Sequence, residues 1–584
     1  WRSLRSVIAG KREGGSVRPD ISADSLNEFF VSVGPRVAAE VGAGAPVPVS
    51  CARLPRVGAC GFELSPVTRE MLGHTVFSMR NSAARGVDGV CIRMLKAGFP
   101  AIGDVILFIV NTCLTHSDIP TSWKHSTVQP IFKSGDPSDP SNYRPISLVP
   151  VMMKIVERLV HRQLYHYLSS NHLLSSSQHG FRPHHSTETA LVSVSDHILS
   201  ATDRGEVSML CLIDLSKCFD VIDHEILLQK LTLYGIETSW FAAYLQRHTQ
   251  SVSLNDGSMC GVLSRPLANT MGVFQGSVLG PLLFTLFAND ISLHSESASV
   301  FQYADDTQVL VSGPKDDLRG LTSRMETSLD SLSNWFRSHR LKVNAKKTQL
   351  IIFGSRPNLR RLPELAVNFS GTQLKPVAEV RNLGVTFDSP LSWESHVSEL
   401  VRQCTGVLIG LSHCRHCLPD GVIKILVSAL VLTRINYCLA VYGNGAQMQF
   451  DRLQKVLNFA ARVIFGRRKF DHVSDLRERL GWLSPRQMAE ARTLALAHQV
   501  MRRGEPDSLA SLFVRCRDTR ERTTRQDGRL CLPRPRSEAG KRRFSYRAPA
   551  LYNRLPGDTT NMPQRRFARA VKSWLAQAEL EGGR

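Results

Sequence analysis

Three aspartates, placed at the ends of apolar runs, carry the clearest chemical signal in the sequence. Asp214 follows the apolar run 207–213, and the pair Asp305-Asp306 stands at the tip of a predicted hairpin, 91 residues further on. Neighbouring strands would bring these acids together, and clustered carboxylates repel one another unless cations bind them. Two Mg²⁺ ions, with Mn²⁺ as a substitute, would resolve this repulsion and support phosphoryl transfer. An ordinary solvated acidic turn is the alternative interpretation of the pair taken alone.

Strands and helices must alternate to position these acids. Short apolar runs predict strands, and apolar residues recurring every three or four positions predict helices. The predicted strands cover residues 128–132, 143–148, 207–213, 300–303 and 307–311, and the predicted helices cover 151–168 and 318–335. This irregular alternation predicts an α+β fold with a sheet covered by helices on one side. After residue 397 the helical period dominates, with helices predicted over 423–441 and 454–464.

Composition narrows the class of protein. The 584 residues carry 72 Lys or Arg against 51 Asp or Glu, a formal net charge of +21, which points to a polyanionic partner, first of all nucleic acid. The last 84 residues alone hold 20 basic and 9 acidic side chains. The 13 scattered cysteines favour a reducing compartment, so we expect a nuclear and cytoplasmic protein that is not secreted. The longest uncharged stretch, 266–289, is broken by Pro, Gly and Asn, and we predict no transmembrane helix.

An ordered set of motifs extends the acidic signal. They are IPTSWKHSTVQPIFKSGDPSDPSNYRPISLVPVMMKIVERLV (119–160), QHGFRPHHSTETAL (178–191), LCLIDLSKCFDVIDHEIL (210–227), GVFQGSVLGPLLFTLFANDI (272–291), FQYADDTQVLV (301–311), LKVNAKKTQLIIF (341–353) and VRNLGVTFD (380–388). With this order the chain resembles the reverse transcriptase of a retrotransposon without long terminal repeats, a long interspersed element of the Jockey or chicken-repeat type. The segment 543–558 is similar to the carboxyl-terminal region of these elements. We expect no part of the upstream endonuclease domain within these residues, so nicking activity is not predicted for this chain.

The resemblance implies a right-hand polymerase with fingers, an antiparallel palm sheet and a thumb, followed by a mainly helical basic region. The implied divisions are a linker (1–60), a helical extension (61–118), fingers and palm (119–388), a helical thumb or connector (389–500) and a basic nucleic-acid-binding region (501–584). The implied activity is RNA-directed DNA synthesis by two-metal phosphoryl transfer in target-primed reverse transcription. Its partners would be template RNA, a DNA primer or nicked target DNA, and deoxynucleoside triphosphates, without a membrane.

The resemblance also assigns roles to single residues. Asp214, Asp305 and Asp306 would be catalytic metal ligands. Lys133 and Arg144 flank a turn-rich connector and would bind the triphosphate, although a plain basic surface hairpin is the alternative. Further nucleotide contacts would come from Phe219 against the sugar, Gln275, and Gly276 through close backbone approach. Lys347 would protonate pyrophosphate, and Tyr303 would lie near the primer end. The basic residues expected to bind nucleic acid are Arg534, Arg536, Lys541, Arg542 and Arg543, together with Arg522 and Arg525.

Several alternatives stay open at this stage. Lys346 competes with its neighbour Lys347, and Phe219 could be an ordinary core residue. Phe274 stands where the family has proline before Gln275, which favours a catalytically decayed RNA-binding remnant. Asp220 and Asp223 are expected to cap or solvate the following helix rather than bind metal. An intron maturase-like protein is disfavoured because its usual zinc motif is missing, and Cys414, His416 and Cys417 have no second paired knuckle nearby.

Overall fold

The computed structural model describes residues 21–42, 61–82, 85–254, 262–519 and 528–582. Helices make up most of it, numbered here in chain order. They are α1 (Ala23–Val41), α2 (Arg69–Ser78), α3 (Ile92–His116), α4 (Val151–Ser170), α5 (Thr187–Asp203), α6 (His224–Leu233), α7 (Ser239–Leu245), α8 (Gly280–Phe287), α9 (Leu318–Ser338), α10 (Arg356–Leu359), α11 (Glu394–His413), α12 (Asp420–Val427), α13 (Thr433–Asn436), α14 (Leu439–Tyr442), α15 (Gln447–Phe465), α16 (Ser474–Leu480), α17 (Pro485–Arg503), α18 (Asp507–Ala510), α19 (Glu538–Arg542), α20 (Phe544–Tyr552) and α21 (Gln564–Gly582).

The strands are shorter and fall mainly into two sheets of five. They are β1 (His125–Phe132), β2 (Tyr143–Leu148), β3 (Val207–Ile213), β4 (His248–Leu254), β5 (Val262–Leu263), β6 (Leu267–Asn269), β7 (Ser299–Tyr303), β8 (Asp306–Gly313), β9 (Gln349–Phe353), β10 (Val367–Phe369), β11 (Thr372–Leu374), β12 (Pro376–Val377), β13 (Glu379–Asn382) and β14 (Val385–Asp388). The α+β prediction is therefore confirmed at the level of mixed helices and sheets.

The central sheet has the strand order β12-β9-β3-β8-β7. Its pairs are antiparallel except β12 with β9, which is parallel, so the expected antiparallel sheet has one parallel edge. Helices cover both faces, and the prediction of one covered face is wrong. Met209 and Cys211 share a core with α9, whereas Leu210 between them packs with Leu191 and Ile198 of α5. A strand buried on both faces carries a continuous apolar run rather than an alternating one.

The second sheet is built around the β1–β2 hairpin, and we name it the hairpin sheet. β1 also pairs in parallel with β4, which in turn pairs with β5 and β6. Helix α1 docks on this sheet: Leu26 and Phe30 share a buried cluster with Val252, and the Asn27 amide donates to the carbonyls of Gln250 and Arg265. The predicted linker 1–60 therefore contains a folded helix at Ala23–Val41. The remaining linker residues, 1–20 and 43–60, lie outside the described residues.

Two helices, α2 and α3, occupy the segment 61–118, for which a helical extension was expected. By length and composition α3 is, within the described residues, the one helix apolar enough to cross a membrane. It packs against α2 and buries Leu95, Phe99 and Val110 in the core, while Val105 and Phe108 stay exposed. Only 33% of its most apolar stretch is buried, and one such helix is weak evidence for a membrane span.

The C-terminal third is helical, as the recurrence of apolar residues every three or four positions predicted. Its helices pack against the preceding part of the chain. A single helix was predicted over 423–441. The structure instead has α12, a π-helical stretch Ser428–Leu432 and α13, followed by a break before α14. The break has tertiary causes: the Tyr437 hydroxyl donates to the Leu383 carbonyl, and Cys438 has a φ of 53°. Helix α19 packs on α5, and α20 and α21 pack on α17. The basic region thus belongs to the folded body.

Candidate active site

The three acids lie together at one end of the central sheet. Ile213 of β3 pairs with Thr307 of β8, so Asp214 comes directly after β3 at the level of Asp306. Asp306 in turn pairs with Tyr303 of β7, and Asp305 lies in the turn between them. The antiparallel register therefore gathers acids that are 91 residues apart in the chain, as the sequence predicted.

Their electrostatics fit a cation-binding cluster. Partial removal from water, and then the charges of Asp305 and Asp214, raise the pKa of Asp306 to about 6. Burial and the charge of Asp214 likewise raise the pKa of Asp305 above its ordinary value. Mutually repelling carboxylates supply the oxygen donors that Mg²⁺ prefers, so the chemical type of these residues fits the metal that the resemblance implies. Among the described residues, however, no three His, Cys, Asp or Glu side chains lie together as a group that could hold a metal ion, and this applies to the three acids as well as to Cys414, His416 and Cys417.

A buried amide clamps the turn that carries Asp305. The Gln178 side chain accepts hydrogen bonds from the backbone N–H of Ala304 at 2.9 Å and of Gly180 at 2.7 Å, and it donates to the Ala304 carbonyl at 3.2 Å. Ala304 has a φ of 57°, in the left-handed region, and its backbone nitrogen would lie 2.2 Å from a Cβ at Gly180. This contact between the segment 178–181 and the acidic turn was missed at the sequence level. The sequence did contain a signal for it, because the motifs 178–191 and 301–311 both belong to the ordered set.

The loop after α9 holds the backbone of Asp214. The backbone N–H of Asn344 donates to the Asp214 carbonyl at 2.8 Å, and the backbone nitrogen of Asp214 lies 3.4 Å from the Thr348 hydroxyl. Lys347, exposed in the same loop, is near enough for its charge to lower the pKa of Lys133. Lys346 is exposed beside it, so the choice between the two lysines stays a prediction.

The hairpin sheet contributes the two predicted cations. The Lys133 amide bonds to the Asn142 carbonyl at the end of β1, and Arg144 lies in β2 opposite Ile131. Burial, and then the charge of Arg144, lower the pKa of Lys133, while the charge of Asp305 acts in the opposite direction. Lys133, Arg144 and the acidic turn are therefore within electrostatic reach of one another. In the described part of the chain, neither cation forms an ion pair.

Asp220 is hydrogen-bonded to the loop that carries Gln275 and Gly276, and the expectation that it caps or solvates a helix is wrong. It accepts a hydrogen bond from the Gln275 side chain at 2.8 Å, and burial raises its pKa while Lys217, Lys133 and Arg144 act to lower it. The capping role belongs to Asp223, whose carboxylate accepts from two backbone amides at the start of α6. Asp220 is thus hydrogen-bonded to Gln275 and lies within the electrostatic influence of three cations.

Gly276 permits a close approach, but to protein backbone. Its φ is 124°, and a Cβ there would lie 2.5 Å from the Ser147 carbonyl oxygen of β2. The Ser147 amide also donates to the Gln275 carbonyl at 2.8 Å. The loop is therefore pinned to the hairpin sheet, and the approach of template or nucleotide to Gly276 stays a prediction.

Aromatic side chains line the same region. Phe219 is half-buried, stacks on Phe284 at a centroid distance of 4.4 Å, and meets the exposed ring of Phe181 edge-on at 5.9 Å. It is thus partly a core residue and partly accessible, which keeps both interpretations open. Phe274, at the place expected for proline, packs edge-on against His248 at 4.6 Å, while Gln275 still reaches Asp220.

The C-terminal basic residues divide into two groups. Arg534, Arg536 and Lys541 are exposed, although Lys541 pairs with Glu538 at 2.6 Å. Arg542 and Arg543 instead make internal contacts, so the prediction that they bind nucleic acid is not supported by their surroundings. Arg542 donates to the carbonyls of Leu391 and Asn444, and the Arg543 guanidinium lies between Ser200 and Asp203. Arg522 and Arg525 lie outside the described residues.

An acidic strand edge facing a cationic hairpin is the arrangement of a nucleotidyltransferase, which must hold a triphosphate against metal-binding carboxylates. The reverse transcriptase (RNA-dependent DNA polymerase) family matches residues 131–387, which contain all three acids and both hairpin cations. This segment is therefore homologous to reverse transcriptase domains. The chain is homologous to the RNA-directed DNA polymerases of jockey-type retrotransposons without long terminal repeats.

Three relatives illustrate this homology. The chain is 28% identical over 423 residues to the probable RNA-directed DNA polymerase from transposon BS of Drosophila melanogaster, covering 69% of this chain and 45% of the relative. It is 27% identical to the RNA-directed DNA polymerase from mobile element jockey of the same species, and 26% identical to that of Drosophila funebris. Each of these two alignments covers 69% of this chain and 44% of the relative. The chain thus spans less than half the length of these relatives.

Proposed function

We propose that the chain is an RNA-directed DNA polymerase that copies the RNA of its own mobile element. The observation that carries this proposal is the shared position of Asp214, Asp305 and Asp306 beside Lys133 and Arg144. In this proposal the hairpin sheet acts as fingers, the central sheet as palm and the helices after residue 394 as thumb. The template would be RNA, the primer a DNA end or a nicked chromosomal strand, and the place of action the nucleus after synthesis in the cytoplasm.

Each side chain takes a role that its surroundings support. Asp214, Asp305 and Asp306 would hold Mg²⁺, which when bound lowers the pKa of the primer hydroxyl and neutralises charge on the departing pyrophosphate. Lys133 and Arg144 would bind the triphosphate through charge-assisted hydrogen bonds. Lys347 would then donate a proton to pyrophosphate.

Selection of the nucleotide and support of the site fall to other residues. The Phe219 ring would face the sugar and exclude a ribose 2′-hydroxyl, and Gln275 would contact the nucleotide. Tyr303, half-buried in β7 opposite Asp306, would lie at the primer end. Gln178 would keep Asp305 in place by fixing the Ala304 backbone.

Primer extension on poly(rA) primed with oligo(dT), in the presence of dTTP and Mg²⁺, tests the proposal. The unsubstituted chain should extend the primer, and Asp305→Asn should reduce the rate about a thousandfold, because several kcal/mol of transition-state stabilisation depend on the bound metal. Asp104→Asn is the matched control, since Asp104 is a surface acid paired with Arg69. Equal rates for the chain and Asp305→Asn would refute the proposal.

The second candidate is an RNA-binding remnant that no longer polymerises. Phe274 favours it, because proline would fix the backbone before Gln275 and phenylalanine does not. The Asp220–Gln275 hydrogen bond argues against it, since Gln275 keeps its place despite the substitution. RNA binding without DNA synthesis in the same extension assay, together with rescue of synthesis by Phe274→Pro, would identify a decayed copy.

A further inference from the structure

A third cation, Lys217, lies on the segment that leads from Asp214 to Phe219. Lys217 has a φ of 51°, in the left-handed region that residues other than glycine rarely adopt. Its carbonyl accepts a hydrogen bond from the Asp220 amide at 2.9 Å, which closes a short 3₁₀ turn over Cys218–Asp220. Unfavourable backbone conformations of this kind persist where surrounding contacts hold them, and they concentrate at functional sites.

The side chain of Lys217 is held by the first helix. Its ammonium lies 4.2 Å from the centroid of the Phe29 ring on α1, within the range of a cation–π contact. Helix α1 is also packed closely against the segment that carries Lys217. Gly34 lies against the same segment, and a Cβ there would be 2.7 Å from the Asp220 carbonyl oxygen and 2.9 Å from the Met271 Cβ. The ring that holds Lys217 is therefore fixed relative to Asp220.

Lys217 belongs electrostatically to the nucleotide site. Asp220 is influenced by the charges of Lys217, Lys133 and Arg144, and Lys217 is influenced in turn by Asp220, Lys133, Arg36 and Asp139. Through Gln275, Asp220 is connected to Ser147 of β2, the strand that carries Arg144. Three cations thus act on one carboxylate, Asp220, while Asp305 also acts on Lys133. A triphosphate, with several negative charges, is the ligand in this reaction that such a group of cations suits.

We propose that Lys217, held by Phe29 of α1, is a third cation that binds the triphosphate of the incoming nucleotide. This deepens the proposed function and rests on it for the identity of the nucleotide. It also makes α1 part of the nucleotide site: the helix supplies the ring that orients the lysine. A lysine that merely fastens α1 to the domain is the competing explanation, and its effect would be on stability.

The test is equilibrium binding of inorganic tripolyphosphate, measured by calorimetry on the full chain and on Lys217→Met, Lys217→Arg and Lys342→Met. Lys342 is the matched control because it also fastens α1, through an ion pair with Glu40 at 2.6 Å. We expect Lys217→Met to weaken binding about tenfold, Lys217→Arg to retain most of the affinity, and Lys342→Met to leave it unchanged. In primer extension, Lys217→Met should raise the KM for dTTP by a similar factor while kcat changes less than threefold.

The outcomes separate the two proposals. An equal weakening of binding in Lys217→Met and Lys342→Met would overturn the inference, because it would show that docking of α1 is what matters. Unchanged affinity in Lys217→Met would overturn it as well. If the unsubstituted chain makes no DNA but its tripolyphosphate binding depends on Lys217, the inference stands and the proposed polymerase activity fails. Phe29→Leu, which keeps an apolar side chain without the ring, should weaken binding less than Lys217→Met.

Discussion

The cations of the hairpin sheet and those of the C-terminal region have the same charge but opposite surroundings. Lys133 and Arg144 are exposed beside the acidic turn. Arg547, in the C-terminal region, is half-buried, and its guanidinium donates to the carbonyls of Ala440 and Gly443 and to the Thr493 hydroxyl. Burial lowers the pKa of Arg547 to about 10. The first pair is available to a ligand, whereas Arg547 joins α20 to α14 and α17.

The difference teaches that an excess of basic residues in a segment does not by itself define a binding surface. The C-terminal region was expected to bind nucleic acid because of its charge, yet Arg542, Arg543 and Arg547 serve mainly as internal hydrogen-bond donors. Substitutions should therefore affect stability in one region and catalysis in the other.

The largest expected effect is on stability, from Arg547→Met. The substitution removes a buried donor and leaves the Ala440 and Gly443 carbonyls without their partner. We expect the free energy of unfolding to fall by about 3 to 5 kcal/mol, as measured by urea denaturation. Arg534→Met, at an exposed position, should change it by less than about 0.5 kcal/mol. Similar decreases in both variants would remove the contrast.

Buried Glu157 should give a comparable effect that depends on pH. It accepts hydrogen bonds from the Tyr244 hydroxyl and the Val278 amide, and burial raises its pKa to about 7. Because the pKa is higher in the folded than in the unfolded chain, the stabilisation is complete below about pH 4.5 and is lost as pH rises through 7.

Between pH 5 and pH 8 the free energy of unfolding should therefore decrease by up to about 3 kcal/mol on account of this group. Glu157→Gln should remove most of that decrease, which urea denaturation at the two pH values would detect. A pH dependence identical in the chain and the variant would show that Glu157 does not titrate in this range.

Lys133→Met should affect catalysis but not stability. Removal of one charge-assisted hydrogen bond to the triphosphate should lower kcat/KM for dTTP about thirtyfold, roughly 2 kcal/mol, while the denaturation midpoint stays unchanged. Steady-state primer extension would measure this. A variant that is equally active, or that unfolds more easily, would place Lys133 on the structural side of the comparison.

The smallest effect is expected from the exposed C-terminal cations. Replacement of Arg534, Arg536 and Lys541 by Ala should lower the slope of log affinity for single-stranded RNA against log salt by about 0.7 for each phosphate that is no longer neutralised. The change in affinity at moderate salt should be under about 1 kcal/mol per residue. An unaltered slope would mean that this surface does not bind phosphate.

Local patterns predicted the elements of the site with good accuracy. The strands 143–148 and 207–213 agree with β2 and β3, and the register that unites Asp214 with Asp306 follows from antiparallel pairing. The run 207–213 is strongly apolar, whereas 143–148 is marked mainly by the turn-rich connector before it, and both signals are local.

Features decided by distant contacts were not predictable in the same way. The break at Tyr437 depends on Leu383 and Thr187, and the clamp by Gln178 depends on a turn 126 residues away. The partners of Arg542 are likewise carbonyls far along the chain. A single sequence gives the type of a side chain but not which backbone groups lie opposite it, so these roles required the fold.

Manganese uptake, followed by electron paramagnetic resonance with and without dTTP, tests most directly whether acids and hairpin cations form one nucleotide site. For the unsubstituted chain the account predicts tighter Mn²⁺ binding when dTTP is present. Asp305→Asn should abolish that uptake, Lys133→Met should reduce only the part that dTTP adds, and Asp104→Asn should behave as the unsubstituted chain. Uptake that is indifferent to dTTP, or that survives in Asp305→Asn, would contradict the account.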